Sequence, residues 1–197
     1  MSGWEVLGFA DDAFPAPVVN LPLPLLGGRA WLQRNSPDDF WVALGVGDNH
    51  ARKALSEFLS ACGFQVTTVV SRHAVVSPSA SLGSGTVVMP GSVINAGALI
   101  GAGVIVNTGA VIEHDVVLGD YSHISPHAAL GGGVQVGELA HVGLGASVIH
   151  CIQIGNRSII GAGAVVTRAI ADDVVAYGVP ARVVYSTTPA ACSGEKS

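Results

Sequence analysis

The sequence predicts a small α/β unit followed by a parallel β-helix, and three observations carry that prediction. Aliphatic side chains recur with a strict period of six from Val76 to Val166. Glycine makes up 26 of 197 residues, about twice its usual share. Ahead of the period, strand-like runs alternate with a helix-like one instead.

The period comes first because it dictates most of the chain. Stepping by six from Val76 gives Leu82, Val88, Ile94, Ile100, Val106 and ten further positions ending at Val166, all Leu, Ile or Val. Four residues after each sits a small or β-branched residue, as at Ala80, Thr86, Ser92 and Ala98. Neither a 3.6-residue helix nor an alternating strand generates a strict six. A six-residue repeat is the mark of a parallel β-helix. Each hexad supplies a short strand and a turn, and three hexads close a triangular coil. Coils then stack at the strand spacing of about 4.8 Å. Sixteen hexads, three to a coil, make roughly five coils from Val76 to Ala171. The aliphatic residue points to the axis and meets its equivalents eighteen residues away. Glycines between hexads, among them Gly85, Gly91, Gly97, Gly133 and Gly145, suit turn positions with positive φ.

Before the repeat, Trp4 to Ala10 and Phe40 to Val46 read as buried strands, and Phe64 to Val70 as another. Asn49 to Cys62 reads as a helix closed by Gly63. Strands alternating with a helix imply a small parallel α/β layer. Pro15 to Gly28 is turn-rich and irregular. The expected division is 1–72 for the α/β unit, 73–171 for the β-helix, and 172–197 for a cap that frays from Ser186.

Composition removes several functional classes. Apolar residues are 49% and charged residues 12%, against a usual charged share of about 25%, so extensive disorder is excluded. The net charge of −5 argues against nucleic acid or an anionic membrane as partner. Residues 74–112 contain no Asp, Glu, Lys or Arg, yet seven glycines, two asparagines and two prolines punctuate them. No lipid-facing helix tolerates that, so a membrane span is not expected. Cys62, Cys151 and Cys192 form no CxxC pair, and no signal peptide is visible, so reduced thiols and a cytoplasmic location are expected. So few charges suggest that much surface packs against other subunits.

This pattern resembles the hexapeptide-repeat, left-handed β-helix acyltransferases. The resemblance implies a left-handed coil, against the usual right-handed crossover. It also implies a homotrimer with active sites between neighbouring helices. The order of α/β unit, β-helix and a Gly178-Val179-Pro180-Ala181-Arg182 ending is similar to the sialic acid O-acetyltransferase-like (NeuD/PglD-type) sugar acetyltransferases. Local matches are Gly8-Phe9-Ala10-Asp11-Asp12, the stretch Ala43 to Asn49 followed by Arg52, and Ser77-Pro78-Ser79-Ala80. The stretch Asn107 to Asp115 and the stretch Tyr121 to Pro126 look like the family's catalytic region. The resemblance covers residues 4 to about 185. The family normally opens with one more strand and a Gly-rich loop that contacts a nucleotide-sugar diphosphate. Here the chain starts at what would be the second strand, so the α/β unit is expected to be a truncated Rossmann-like one.

Acetyl transfer from a thioester needs a general base, an oxyanion donor and a groove for coenzyme A. A neutral imidazole suits the first role at pH 7. His114 lies two residues after the inward Ile112, between Glu113 and Asp115, and a neighbouring carboxylate can orient such a ring. The residues alone leave a solvated corner histidine open as well. By resemblance His114 is the base and Asp115 raises its basicity, with Glu113 as the alternative orienter. His123 lies nine residues, half a coil, from His114, so the two share no corner of one chain. By resemblance His123 contacts the acetyl group of acetyl-CoA. His141 stacks one coil above His123, and His150 lies two coils above His114 with Gly132 between.

Leu144 and Ala162 match family positions that touch the pantetheine, and Gly143 allows close approach there. Arg157 and Arg168 either meet the coenzyme phosphates or face solvent. Asp11 and Asp12 end a strand, where α/β folds bind ligands, and Gly47 leaves room beside them. That constellation takes ribose or uracil groups, or is simply a polar loop. Cys151 is a poor nucleophile, since direct transfer needs no acyl-enzyme. The expected activity is acetyl-CoA-dependent acetylation of an amino or hydroxyl group on a UDP- or GDP-linked sugar, with no metal. The competing readings are a β-helix metalloenzyme of γ-carbonic anhydrase type and a non-catalytic trimeric scaffold.

Overall fold

The computed structural model describes residues 5–12 and 22–187. Trp4, the first half of the irregular segment and the tail beyond Thr187, with Cys192, lie outside the described residues.

From Val69 onward the chain winds into a left-handed prism with three parallel faces. The first face stacks six strands from Val75–Val76 to Val165–Val166. The second stacks five, from Ser81–Leu82 to Gln153–Ile154. The third runs from Val69–Val70 to Ile159–Ile160 and is extended by Val174–Tyr177 and Arg182–Ser186. The register is one hexad triplet: Ile112 lies opposite Ile94 below and Leu130 above.

Each strand from Val75–Val76 to Val165–Val166 is two residues long, and its second residue is the aliphatic of the hexad. It points inward, and from Val88 to Val166 all fourteen such positions are buried. Each contributes about 1.5–3 kcal/mol of hydrophobic stabilisation. Val76 and Leu82, in the lowest coil, are only half-buried because no coil lies beneath them. The small residue four places on fills the corner, as Ala98, Val104, Ala110 and Val116 do at 0% exposure. Every sixth residue from Gly85 to Gly163 has positive φ. Glycine holds eight of these turn positions; the others are Asp115, Tyr121, His127, Leu139, Cys151 and Arg157. A non-glycine in that conformation carries a steric cost, which the hydrogen bonds of the coil offset.

The N-terminal unit departs from its sequence reading in detail. Of the described part of the Trp4 to Ala10 run, residues 5–10, only Phe9–Ala10 is a strand, paired parallel with Leu25–Gly27, and Val6 and Leu7 are exposed. Leu25–Gly27 and the short helix Arg29–Leu32 lie in or just after the segment read as irregular. Phe40 to Val46 makes a single bridge, Val42 to Val66, and the Phe64 to Val70 strand shrinks to Val69–Val70. An apolar run becomes a strand only where a neighbour continues the ladder, and none does so here among the described residues.

Helix Asn49–Ala61 forms as expected, with Asp48 Oδ1 accepting from the Ala51 N–H at 2.8 Å as its N-cap. Its apolar side builds a second, smaller core of Leu59 with Leu32, Leu44 and Phe64. Its polar N-terminal turn docks on the prism. Arg52, 0% exposed, donates to Gly103 O at 2.7 Å and Tyr121 O at 2.7 Å. Asn49 Nδ2 donates to Leu139 O at 2.9 Å and Ala140 O at 3.1 Å. These carbonyls line the corner between the second and third faces, so the unit sits there.

Candidate functional site

The corner after Val111–Ile112 carries Glu113, His114 and Asp115. Ile112 anchors it at 0% exposure, and Asp115 takes the left-handed turn position at φ 59. The Asp115 N–H donates to Ala96 O at 3.0 Å, which holds that turn. His114 Nδ1 and Asp115 Oδ2 lie 2.9 Å apart, with both side chains mostly exposed. Glu113 Oε2 instead accepts from Asn95 Nδ2 at 3.1 Å, in the coil below. The carboxylate touching the imidazole is therefore that of Asp115. A ring that donates through Nδ1 presents an Nε2 lone pair, the arrangement that proton abstraction requires.

On the third face the His123 and His141 rings stack, 4.8 Å between centroids and 7° between planes. Asn107 Oδ1 accepts from the Thr108 N–H at 2.8 Å, which turns its amide nitrogen to His123 Nε2 at 3.1 Å. An amide nitrogen only donates, so Nε2 accepts and the His123 proton sits on Nδ1. Ser125 Oγ meets His141 Nε2 at 2.7 Å. Burial opposes charge on His123 most, then His141 and Arg52 repel it, and together they push its pKa down to about 4. The Gly47 backbone faces the same ring and partly offsets this. Burial, then Arg52, lowers the His141 pKa as well. Both rings are neutral at pH 7.

The corner between the third and first faces holds the coenzyme candidates. Leu144 and Ala162 are exposed and stacked one coil apart, and Gly163 N donates to Leu144 O at 2.8 Å. Gly143 is pressed against the next coil, where a Cβ would fall 2.5 Å from Ile160 O. Gly47 is open, with nothing near its missing side chain, and its carbonyl accepts from Arg52 Nη1 at 3.0 Å. Asp12 serves the helix after it: Oδ1 accepts from Arg29 N at 2.8 Å, and Oδ2 pairs with Arg29 Nε at 2.8 Å. Asp11 beside it is exposed. Arg157 makes two bonds of 2.6 Å to Asp173, so it is held by a neighbour of its own.

Within one chain the structure thus brings His114 to Asp115, and His123 to Gly47 and Arg52. It sets Leu144 and Ala162 on a different corner from His114. Arg52 was visible to the sequence only as part of a motif, because a helical arginine is ordinarily solvated. Among the described residues no group of three or more His, Cys, Asp or Glu is placed to hold a metal ion. None of their helices is long and apolar enough to cross a membrane.

Stacked hexads with a polar corner of this kind define a hexapeptide-repeat transferase. The family model described as bacterial transferase hexapeptide (six repeats) matches residues 97–132, which include Glu113, His114, Asp115 and His123. Among solved structures, PerB of Caulobacter crescentus, in complex with CoA and GDP-perosamine, is 42% identical with a TM-score of 0.82. That match covers 84% of this chain and 80% of PerB. The acetyltransferase domain of PglB from Neisseria gonorrhoeae FA1090, in complex with acetyl coenzyme A, is 37% identical with a TM-score of 0.86. It covers 90% of this chain and 85% of that one. WeeI from Acinetobacter baumannii AYE is 26% identical over 90% of this chain and 85% of its own, with a TM-score of 0.84. The comparison with curated proteins gave no match. The chain belongs to the sialic acid O-acetyltransferase-like family of hexapeptide-repeat sugar acetyltransferases.

Proposed function

We propose that this chain transfers the acetyl group of acetyl-CoA to the amino group of a nucleotide-linked sugar, with His114 as general base. The observation that carries the reading is the 2.9 Å pair of His114 Nδ1 and Asp115 Oδ2 inside the matched hexads. The amine is favoured over a hydroxyl because PerB, described as a perosamine N-acetyltransferase, was solved with CoA and GDP-perosamine. The acceptor nitrogen attacks the thioester carbonyl while His114 Nε2 takes its proton. Asp115 accepts from Nδ1–H and stabilises the imidazolium. The tetrahedral adduct collapses, the C–S bond breaks, and the leaving thiolate takes the proton from His114. Transfer is direct, so neither Cys151 nor a metal is required.

The corner of His114 and the ridge of Leu144 and Ala162 lie apart in one chain. A homotrimer brings one chain's His114 to a neighbour's His123, Gly143, Leu144 and Ala162, which hold the coenzyme. Asp11, Asp12 and Gly47 then face the nucleotide sugar. The test is release of coenzyme thiol from acetyl-CoA in the presence of GDP-perosamine or UDP-linked 4-amino sugars. Turnover with at least one amino sugar, by a species of about three times the 19.9 kDa chain mass, is expected. A monomer would contradict the intersubunit site, and a trimer with neither turnover nor a thermal shift from acetyl-CoA would favour an inert scaffold.

A further inference from the structure

We infer that Gly132 is a positioning residue for acetyl transfer, because the space left by its missing side chain is the seat of the His114 imidazole. The inference rests on His114 acting as the base. Gly132 stands in a run of three glycines, and the coil itself accounts for the other two. Gly133 occupies a turn position at φ +68. At Gly131 a Cβ would fall 2.7 Å from the His150 backbone nitrogen of the next coil. Gly132 is under neither constraint: its φ is not positive. The nearest atoms its Cβ would meet all belong to the His114 ring, Nε2 at 2.5 Å, Cε1 at 2.6 Å and Cδ2 at 3.1 Å.

The equivalent positions one coil apart are Ala96, His114, His150 and Arg168, so the fold accepts side chains of any size in this column. Glycine at 132 is therefore dictated by the ring and not by the turn. The far side of the ring is tied to Asp115 through Nδ1. A methyl group at 132 would stand well inside the ordinary carbon contact distance of about 3.5–4.0 Å. The ring can escape only by rotating away, which breaks its bond to Asp115 and re-aims Nε2. It is mostly exposed, so the rotation leaves the core untouched.

The test is a double-mutant cycle of Gly132→Ala and His114→Ala. Gly132→Ala should lower kcat by about 10- to 100-fold, the usual cost of misplacing a catalytic group by an ångström or so. Coenzyme Kd and Tm should stay near wild type. In the His114→Ala background the same substitution should cost nothing further, since no ring remains to be displaced. A second readout is independent of activity: the His114 ring Cε1–H resonance, assigned by its absence in His114→Ala, should move in Gly132→Ala. An equal loss of kcat in both backgrounds, or an unmoved resonance, overturns the seat. A moved resonance with a fully active His114→Ala keeps the seat and overturns the base instead.

Discussion

His123 and His141 face each other one coil apart at 4.8 Å, and a proton on either ring would lie beside its neighbour and near the buried Arg52. The His123 pKa, at about 4, is below the 6.5 of an unperturbed histidine, chiefly through burial. As pH falls the unfolded chain therefore binds this proton first. Stability from this group is full above about pH 6.5 and is lost as pH falls toward about 4. His123→Asn should lessen the fall of Tm across that window, while His141 and the carboxylates continue to contribute their own losses in both proteins. Thermal melts between pH 7.5 and 4 check this, and parallel slopes for the two proteins would contradict it.

Arg52 joins the α/β unit to the coils. Besides Gly103 O and Tyr121 O, it donates to Gly47 O at 3.0 Å, Asn49 Oδ1 at 2.9 Å, Val46 O at 3.2 Å and Ser122 O at 3.3 Å. Burial lowers its pKa to about 10, partly offset by Asp48, so it stays charged at pH 7. Arg52→Met strands these acceptors and should cost about 3–5 kcal/mol in urea unfolding. Protease should then cut ahead of Val69 and spare the prism. Arg52→Lys should not rescue, since one ammonium cannot replace a planar fork. Wild-type protease resistance in Arg52→Met would contradict this role.

The prism was legible in the sequence because its period belongs to the chain itself. The interior from Val88 to Val166 follows from counting by six. The N-terminal unit was less legible, since whether Phe40 to Val46 becomes a strand depends on partners distant in sequence. At the site, the adjacency of His114 to two acids was plain, but which acid touches the ring was not. That depends on the left-handed turn at position 115, in register with Gly97 and Gly133 one coil below and above. The burial of Arg52 left no local signal at all.

The choice of orienter predicts a contrast between two neutral substitutions. Asp115→Asn keeps the shape but removes the charge that supports the imidazolium, and should lower kcat by about 10- to 100-fold. Glu113→Gln should stay within about twofold of wild type, because its partner is Asn95. Steady-state rates at saturating acetyl-CoA decide between them. A larger loss in Glu113→Gln than in Asp115→Asn would reverse the assignment.

The most direct measurement is kcat of His114→Ala on an amino sugar that the wild type turns over, followed by coenzyme thiol release. Removal of a general base should lower kcat by about 100- to 10,000-fold. Trimer mass and coenzyme affinity should be kept, and stability should change by less than about 0.5 kcal/mol because the ring is mostly exposed. A folded His114→Ala trimer with near wild-type kcat would contradict the account.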